Sequence, residues 1–156
     1  MTTPTIQRPA QATPARQRGP RLSLWVLRLA LAVHALAAVA QPVLAGRYLS
    51  GDFDALAAHG INASFVFLAA IAAFVAAVLY WLVGRGAGWP ALVIAALIVA
   101  EIAQVAAGAQ RVLAVHIPLG VGIVAAAVAL GVWSFRPAAR RARVWRLRRT
   151  SGGVPR

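Results

Sequence analysis

Two of the three histidines in this chain occupy matching positions, and histidine is the side chain here best suited to bind a metal or a cofactor. His59 follows Gln41, and His116 follows Gln104, each near the start of a long apolar stretch. An ionisable side chain is costly inside hydrocarbon, so its repetition at corresponding points of two apolar stretches indicates a functional site. Because neutral imidazole is a common ligand of haem iron, we expect His59 and His116 to be a pair of axial ligands.

Two arginines lie close to these histidines in the sequence. Arg47 precedes His59, and Arg111 precedes His116. A haem carries two propionate groups, and a guanidinium group binds a carboxylate through two parallel hydrogen bonds. The sequence therefore predicts that Arg47 and Arg111 are propionate partners in a haem b site. In the alternative interpretation, both histidines are solvated or capping residues near a membrane surface and touch no cofactor.

A second polar group is predicted deeper in the apolar stretches. At a rise of 1.5 Å per helical residue, His34 lies roughly 20 Å below Arg47, and Glu101 lies about 15 Å below Arg111. Glu101 shares a helix face with Gln104, and together with Gln41 these residues form a candidate second site. Two interpretations remain open: a neutral His34–Glu101 hydrogen bond that joins two helices, or a proton relay.

The composition indicates an all-α integral membrane protein. The chain has 156 residues, of which 61% are hydrophobic and only 12% are charged. Crossing the hydrocarbon layer takes about 20 helical residues, and no stretch shows the period-two alternation of a barrel strand. Short connections make neighbouring helices antiparallel, which predicts an up-down four-helix bundle. The four predicted spans cover residues 22–46, 59–83, 89–110 and 113–135.

The arginines predict the orientation of the bundle. Fourteen of the sixteen lie in a basic arm at residues 1–20, early in the first span, between spans two and three, or in a tail at 136–156. Positive charge collects on cytoplasmic flanks, so both termini are expected inside. We expect the C-terminal arginines to contact anionic lipid headgroups rather than nucleic acid. The Ala- and Arg-rich, Lys-free composition suggests the cytoplasmic membrane of a bacterium.

The first apolar stretch also imitates a cleavable signal peptide. Ala38-Val39-Ala40, directly before Gln41, has the small residues of a cleavage site. The basic leader is long for a signal peptide, however, and cleavage would leave three helices. We therefore expect the first span to be retained.

The spacing Gln104-x3-Gly108-x7-His116, with Gln41, Gly46 and His59 in the first half, resembles one half of haem A synthase. It also resembles an uncharacterised family of small four-span bacterial membrane proteins. The resemblance covers about residues 31–135. In haem A synthase each half is a four-helix bundle, and histidines on its second and fourth helices bind haem. The resemblance therefore implies the same role for His59 and His116.

The chain departs from the synthase at the positions that surround the histidines. The catalytic half of the synthase has a Glu four residues before its histidine and an Arg directly after it. Those places hold Ala55 and Gly60 in the first half of this chain, and Val112 and Ile117 in the second. The likeness is therefore to the half that holds a cofactor, and a non-enzymatic role is favoured over the oxidative chemistry of the synthase.

The sequence thus predicts a multi-pass membrane protein that binds one haem b near the outer leaflet, for electron transfer or haem handling with a redox or membrane protein partner. The alternative is a cofactor-free accessory or structural membrane protein. A small transporter is disfavoured, because no span is broken by Gly or Pro in the usual manner of transporters.

Overall fold

All the regular structure is helical in the computed structural model, which describes residues 21–142. The long helices are α1 (Arg21–Leu49), α2 (Asp54–Leu82), α3 (Trp89–Ala109) and α4 (Leu113–Phe135), and a short 3₁₀ helix (Pro137–Arg140) follows. The predicted all-α class is therefore confirmed for the described part of the chain. The predicted arm at 1–20 and the part of the basic tail beyond residue 142 lie outside the described residues.

Each of the four helices is long and apolar enough to cross a membrane, and the shortest has 21 residues. Large apolar side chains cover the outside of the bundle; Leu22, Leu36 and Leu92 are all more than 70% exposed. Such a surface is unfavourable in water but suits contact with lipid chains. The helices therefore have the length and the outer surface of membrane spans.

The connections determine which helices are neighbours. They contain only four, six and three residues, so consecutive helices run antiparallel. Helix α1 packs against α2 and α4, and α3 packs against the same two helices. Within residues 21–142 the diagonal pairs, α1 with α3 and α2 with α4, make no close backbone contact and face each other across the interior. We call the end with the α1–α2 and α3–α4 connections the distal end, and the opposite end the proximal end.

The first connection is shorter than predicted. Helix α1 continues to Leu49 and α2 begins at Asp54, so both helices extend beyond the predicted span limits at about residues 46 and 59. Ser50 closes the turn, since its backbone N–H and its Oγ both donate to Gly46 O. The helices extend past the apolar residues because a helix can continue outside hydrocarbon, whereas the prediction counted apolar residues alone. As a consequence His59 lies in the second turn of α2, not at its start.

Two aromatic residues, Tyr80 and Trp133, close the proximal end. Tyr80 is fully buried, and its hydroxyl donates to Ala139 O at 2.8 Å. This bond holds the 3₁₀ helix against the bundle, and the ring of Trp133 packs edge-on against Tyr80 with centroids 6.3 Å apart. A Cβ at Gly86 would lie 2.2 Å from the Tyr80 ring, so the α2–α3 connection requires glycine there.

A buried arginine joins α1 to α4 at the same end. Arg28 is only 4% exposed, and its Nε donates to Ser134 O at 2.9 Å. Its guanidinium lies 4.6 Å from the ring centre of Trp25 and 4.8 Å from that of Phe135. Arginine stacks well on aromatic faces, so Arg28 contributes to helix packing as well as to the positive charge at the proximal end.

Tyr80→Phe is expected to lower the free energy of unfolding by about 1–3 kcal/mol, because the buried Ala139 carbonyl loses its partner. Tyr48→Phe is the matched control, since Tyr48 packs against Phe53 at the distal end, where the ring centroids are 6.1 Å apart. Thermal unfolding in detergent, followed by circular dichroism, measures both variants. Equal midpoints for Tyr80→Phe and Tyr48→Phe would contradict the role assigned to the hydroxyl.

Candidate functional site

The interior of the bundle contains a cavity of about 370 Å³, lined by residues of all four helices. This volume falls in the range of small-molecule sites, about 300–1,000 Å³. Most of the wall is apolar, and it includes Leu56, Val105 and Ile123, which sequence reasoning did not single out. The polar residues on the wall are Gln41, His59, Glu101, Gln104 and His116.

His59 and His116 face each other across this cavity. They belong to α2 and α4, which form a diagonal pair, and both side chains are half-buried. Their ring centroids are 6.3 Å apart, and the ring planes are inclined by 57°. The structure therefore brings together the two imidazoles that the sequence singled out.

Both rings are held by the same kind of hydrogen bond. His59 Nδ1 lies 3.1 Å from Gln41 O, and His116 Nδ1 lies 3.0 Å from Gln104 O. A backbone carbonyl only accepts, so each Nδ1 carries the proton and donates. The neutral ring then has its lone pair on Nε2. Neither Nε2 has a hydrogen-bond partner among residues 21–142, which leaves both of these atoms available as ligands.

The glutamine side chains lie at equivalent positions in the two halves. The Gln41 amide oxygen accepts from Ala63 N at 3.1 Å, and the Gln41 amide nitrogen donates to His59 O at 3.2 Å. Gln104 packs against Gly120, where a Cβ would lie 2.7 Å from the amide nitrogen. Ala63 and Gly120 each follow their histidine by four residues, one helical turn. The two glutamines therefore occupy matching places, each beside the residue that follows its histidine by four.

The amide hydrogen bonds of Gln41 have no counterpart in the second half, where Gln104 Oε1 is buried without a hydrogen-bond partner among the described residues. In the orientation described above, the Gln41 amide nitrogen is also 3.0 Å from His59 Nδ1. His59 Nδ1 can donate to the Gln41 carbonyl or accept from the Gln41 amide nitrogen, but it cannot do both. We assign the proton to Nδ1, because the carbonyl bond is also present at His116 and the amide keeps two other partners.

The two glycines of the repeat are not equivalent. A Cβ at Gly108 would lie 2.8 Å from His116 Cε1 and 2.9 Å from Nδ1, so the imidazole rests directly on this glycine. At Gly46 a Cβ would meet nothing within 4 Å. Gly108 follows its glutamine by four residues, whereas Gly46 follows Gln41 by five and so lies on a different side of its helix. The glycine match in the sequence pattern holds in only one half.

His34 and Glu101 form the second polar group. His34 Nε2 lies 2.7 Å from Glu101 Oε1, and the two residues are 0% and 5% exposed. They belong to α1 and α3, the other diagonal pair of the bundle. Glu101 also lies on the cavity wall, so this pair and the two-histidine site share one interior.

The two distal arginines do not line the cavity. Arg47 is exposed and donates through Nε to Asp52 Oδ2 at 2.9 Å. Arg111 is exposed in the three-residue α3–α4 connection, with a φ of 58°, a conformation uncommon for any residue other than glycine. Their contact with propionates stays a prediction. The Arg47–Asp52 pair was not foreseen, although a spacing of five residues across a tight turn permits it.

Comparison of the chain with family models, with curated proteins and with solved structures found no match. The chemistry of the cavity therefore has to be inferred from the residues themselves.

Proposed function

We propose that this chain is a membrane cytochrome that binds one haem b between His59 and His116. The observation that carries the proposal is the pair of imidazoles on diagonal helices, with ring centres 6.3 Å apart and both Nδ1 atoms bonded to carbonyls. Metal-ligating histidines usually donate their other ring N–H to a carbonyl or a carboxylate, which orients the ring and selects the tautomer. Both rings have this arrangement.

The spacing of the rings suits two axial ligands of one metal. A bond from imidazole nitrogen to a metal is about 2 Å, and the nitrogen lies about 1 Å from its ring centre, so two opposite ligands have ring centres about 6 Å apart. The measured distance of 6.3 Å agrees with this value. Aromatic rings that simply pack together also lie about 4.5–7 Å apart, so the proposal rests on this distance together with the two Nδ1 bonds.

A porphyrin fits this donor set better than a bare metal ion does. A structural or catalytic zinc takes three or four protein ligands. The chain has three histidines, three acidic residues and no cysteine, and residues 21–142 contain no group of three such side chains able to hold a metal ion. A porphyrin supplies four nitrogens itself and needs only two axial ligands. When bound, haem would supply a one-electron redox couple.

The residues of this chain would then have distinct tasks. The carbonyls of Gln41 and Gln104 orient the imidazoles, and Gly108 leaves room for the His116 ring. The apolar wall excludes water. Arg111 makes no ion pair in the described part of the chain, so its guanidinium is available to a propionate, whereas Arg47 would have to exchange Asp52 for one.

The distribution of arginine supports a location and an orientation. With fourteen of the sixteen arginines at the proximal end or in the terminal segments, both termini lie on the cytoplasmic side of a bacterial inner membrane. The two-histidine site is then near the outer leaflet. The C-terminal arginines contact anionic headgroups, and the redox partner is a membrane protein or an electron carrier that reaches the distal end. Electron transfer or haem handling, rather than catalysis, is the role that this arrangement serves.

The test is a reduced-minus-oxidised absorption spectrum of the protein, expressed with sufficient haem and purified in detergent. We expect the narrow bands of a six-coordinate b-type haem and one haem per chain. A protein that is folded by circular dichroism and carries no reducible haem would end the proposal. It would leave the alternative, a cofactor-free accessory protein, in its place.

A further inference from the structure

The His34–Glu101 pair has two polar atoms that a purely structural contact would be expected to satisfy. Glu101 Oε2 and His34 Nδ1 are both buried and have no hydrogen-bond partner among the described residues. Buried polar groups in folded proteins almost always have partners, and the exceptions point to a functional role or to a bound molecule. The pair therefore has unused capacity to bind a proton.

The pair can hold either one or two protons while its short hydrogen bond persists. With one proton between Nε2 and Oε1, His34 is neutral and Glu101 is ionised, so the pair has a net charge of −1. A second proton enters at Nδ1 of His34 and makes the pair neutral overall. The bond of 2.7 Å is compatible with both states. Proton uptake thus changes the charge of the bundle interior without separating α1 from α3.

The pair is close enough to the two-histidine site for the charges to interact. Glu101 lies on the wall of the same cavity, three residues before Gln104, whose carbonyl holds His116. Three helical residues span about 5 Å along the axis. In an apolar interior, charges at such distances interact much more strongly than they do in water.

The groups that face Glu101 come from all the other helices of the bundle. They are His34 on α1, His59 on α2 and His116 on α4, and these are all the histidines of the chain. His59 and His116 are the residues assigned to the haem. His34 with Glu101 is then the one proton-binding group on or beside the cavity wall within residues 21–142.

We propose that His34 and Glu101 form a redox-linked proton site. The pair takes up one proton from water when the two-histidine site takes up one electron from a one-electron donor, and it releases that proton on reoxidation. The added electron is balanced by the added proton, so the net charge of the apolar interior does not change. This inference rests on the proposed haem site.

The experiment is a potentiometric titration of the haem-loaded protein between about pH 6 and 8. One proton per electron predicts that the midpoint potential falls with rising pH by up to about 59 mV per unit, the equivalent of a tenfold change at one electron. Glu101→Gln keeps the size of the side chain but cannot ionise, and it is expected to remove the pH dependence. Asp54→Asn removes an exposed carboxylate from α2, and it is expected to retain the wild-type slope.

A second measurement uses the wild-type protein and therefore does not depend on the folding of a variant. Glu101 is the only glutamate in the chain, so ¹³C-glutamate labels this one carboxyl group. We expect carboxylate bands that shift with the label in the reduced-minus-oxidised infrared spectrum, because a positive charge on His34 strengthens its hydrogen bond to the Glu101 carboxylate. A haem-loaded protein whose potential is independent of pH, or whose infrared spectrum lacks such bands, would overturn the proton site and leave the haem site standing. A midpoint potential that still depends on pH in Glu101→Gln would likewise overturn the proton site. Absence of haem would overturn both proposals.

Discussion

Replacing His59 and His116 together with alanine is expected to abolish haem binding and to leave the four-helix bundle folded. Each substitution removes one hydrogen bond to a carbonyl, which costs about 1 kcal/mol, and deletes a ring from a half-buried position on the cavity wall. The proposed contacts of the two imidazoles with haem, in contrast, would be lost completely. The measurements are the haem-to-protein ratio after purification and the helical circular dichroism signal.

His34→Asn is the control for this double variant, because it removes the third histidine of the chain and leaves both candidate ligands in place. It is expected to retain one haem per chain, although the loss of a buried hydrogen bond to Glu101 lowers its thermal stability. Haem retained at full stoichiometry by the double variant would mean that the ligands are elsewhere. Haem lost equally in the double variant and in His34→Asn would point to a general effect of folding.

Gly108→Val is expected to weaken haem binding and Gly46→Val to leave it unchanged, although the two glycines occupy matching positions in the sequence pattern. A Cβ at Gly108 falls within 3 Å of the His116 ring, so valine displaces the imidazole and breaks its bond to Gln104 O. Loss of such an orienting contact lowers the affinity for a metal group by about 10–100-fold. Gly46 has open space around it, and valine is the better helix former, so Gly46→Val should bind haem as the wild type does.

Titration of the purified apoproteins with haemin, followed by absorbance, measures this difference. The comparison is matched because both variants place the same β-branched residue near the distal end of a helix. Equal affinities for the two variants would show that His116 is not held in place for a ligand. A weaker affinity for Gly46→Val would show that the first half of the repeat is packed differently from the structure described above.

The features that the sequence predicted most closely are those for which an apolar run leaves few alternatives. Helices α3 and α4 lie within one residue of their predicted limits, because an apolar run must satisfy its own backbone hydrogen bonds. The polar residues inside such runs, above all His34 and Glu101, have to find partners, and their similar depths predicted that they could meet. The distal boundaries of α1 and α2 were predicted less well, since a helix outside hydrocarbon has no such constraint.

The remaining features of the site depend on contacts that no spacing along one helix can indicate. Examples are the Nδ1 bonds from each histidine to the preceding glutamine carbonyl, the His116 ring resting on Gly108, and the capture of Arg47 by Asp52. The first and second are made between neighbouring helices. The third depends on a turn of only four residues, which the apolar pattern did not reveal.

By itself, the sequence determined that the chain is helical, that it has four apolar helices joined by short connections, and which few polar residues they carry. Only the tertiary structure decided that α2 faces α4 and α1 faces α3 across one cavity, so that His59 meets His116 and His34 meets Glu101. The physical reason is that these helices are apolar on their outer faces as well as on the faces toward the interior. Hydrophobic patterning, which orients the helices of a water-soluble bundle, therefore says little about their rotation here.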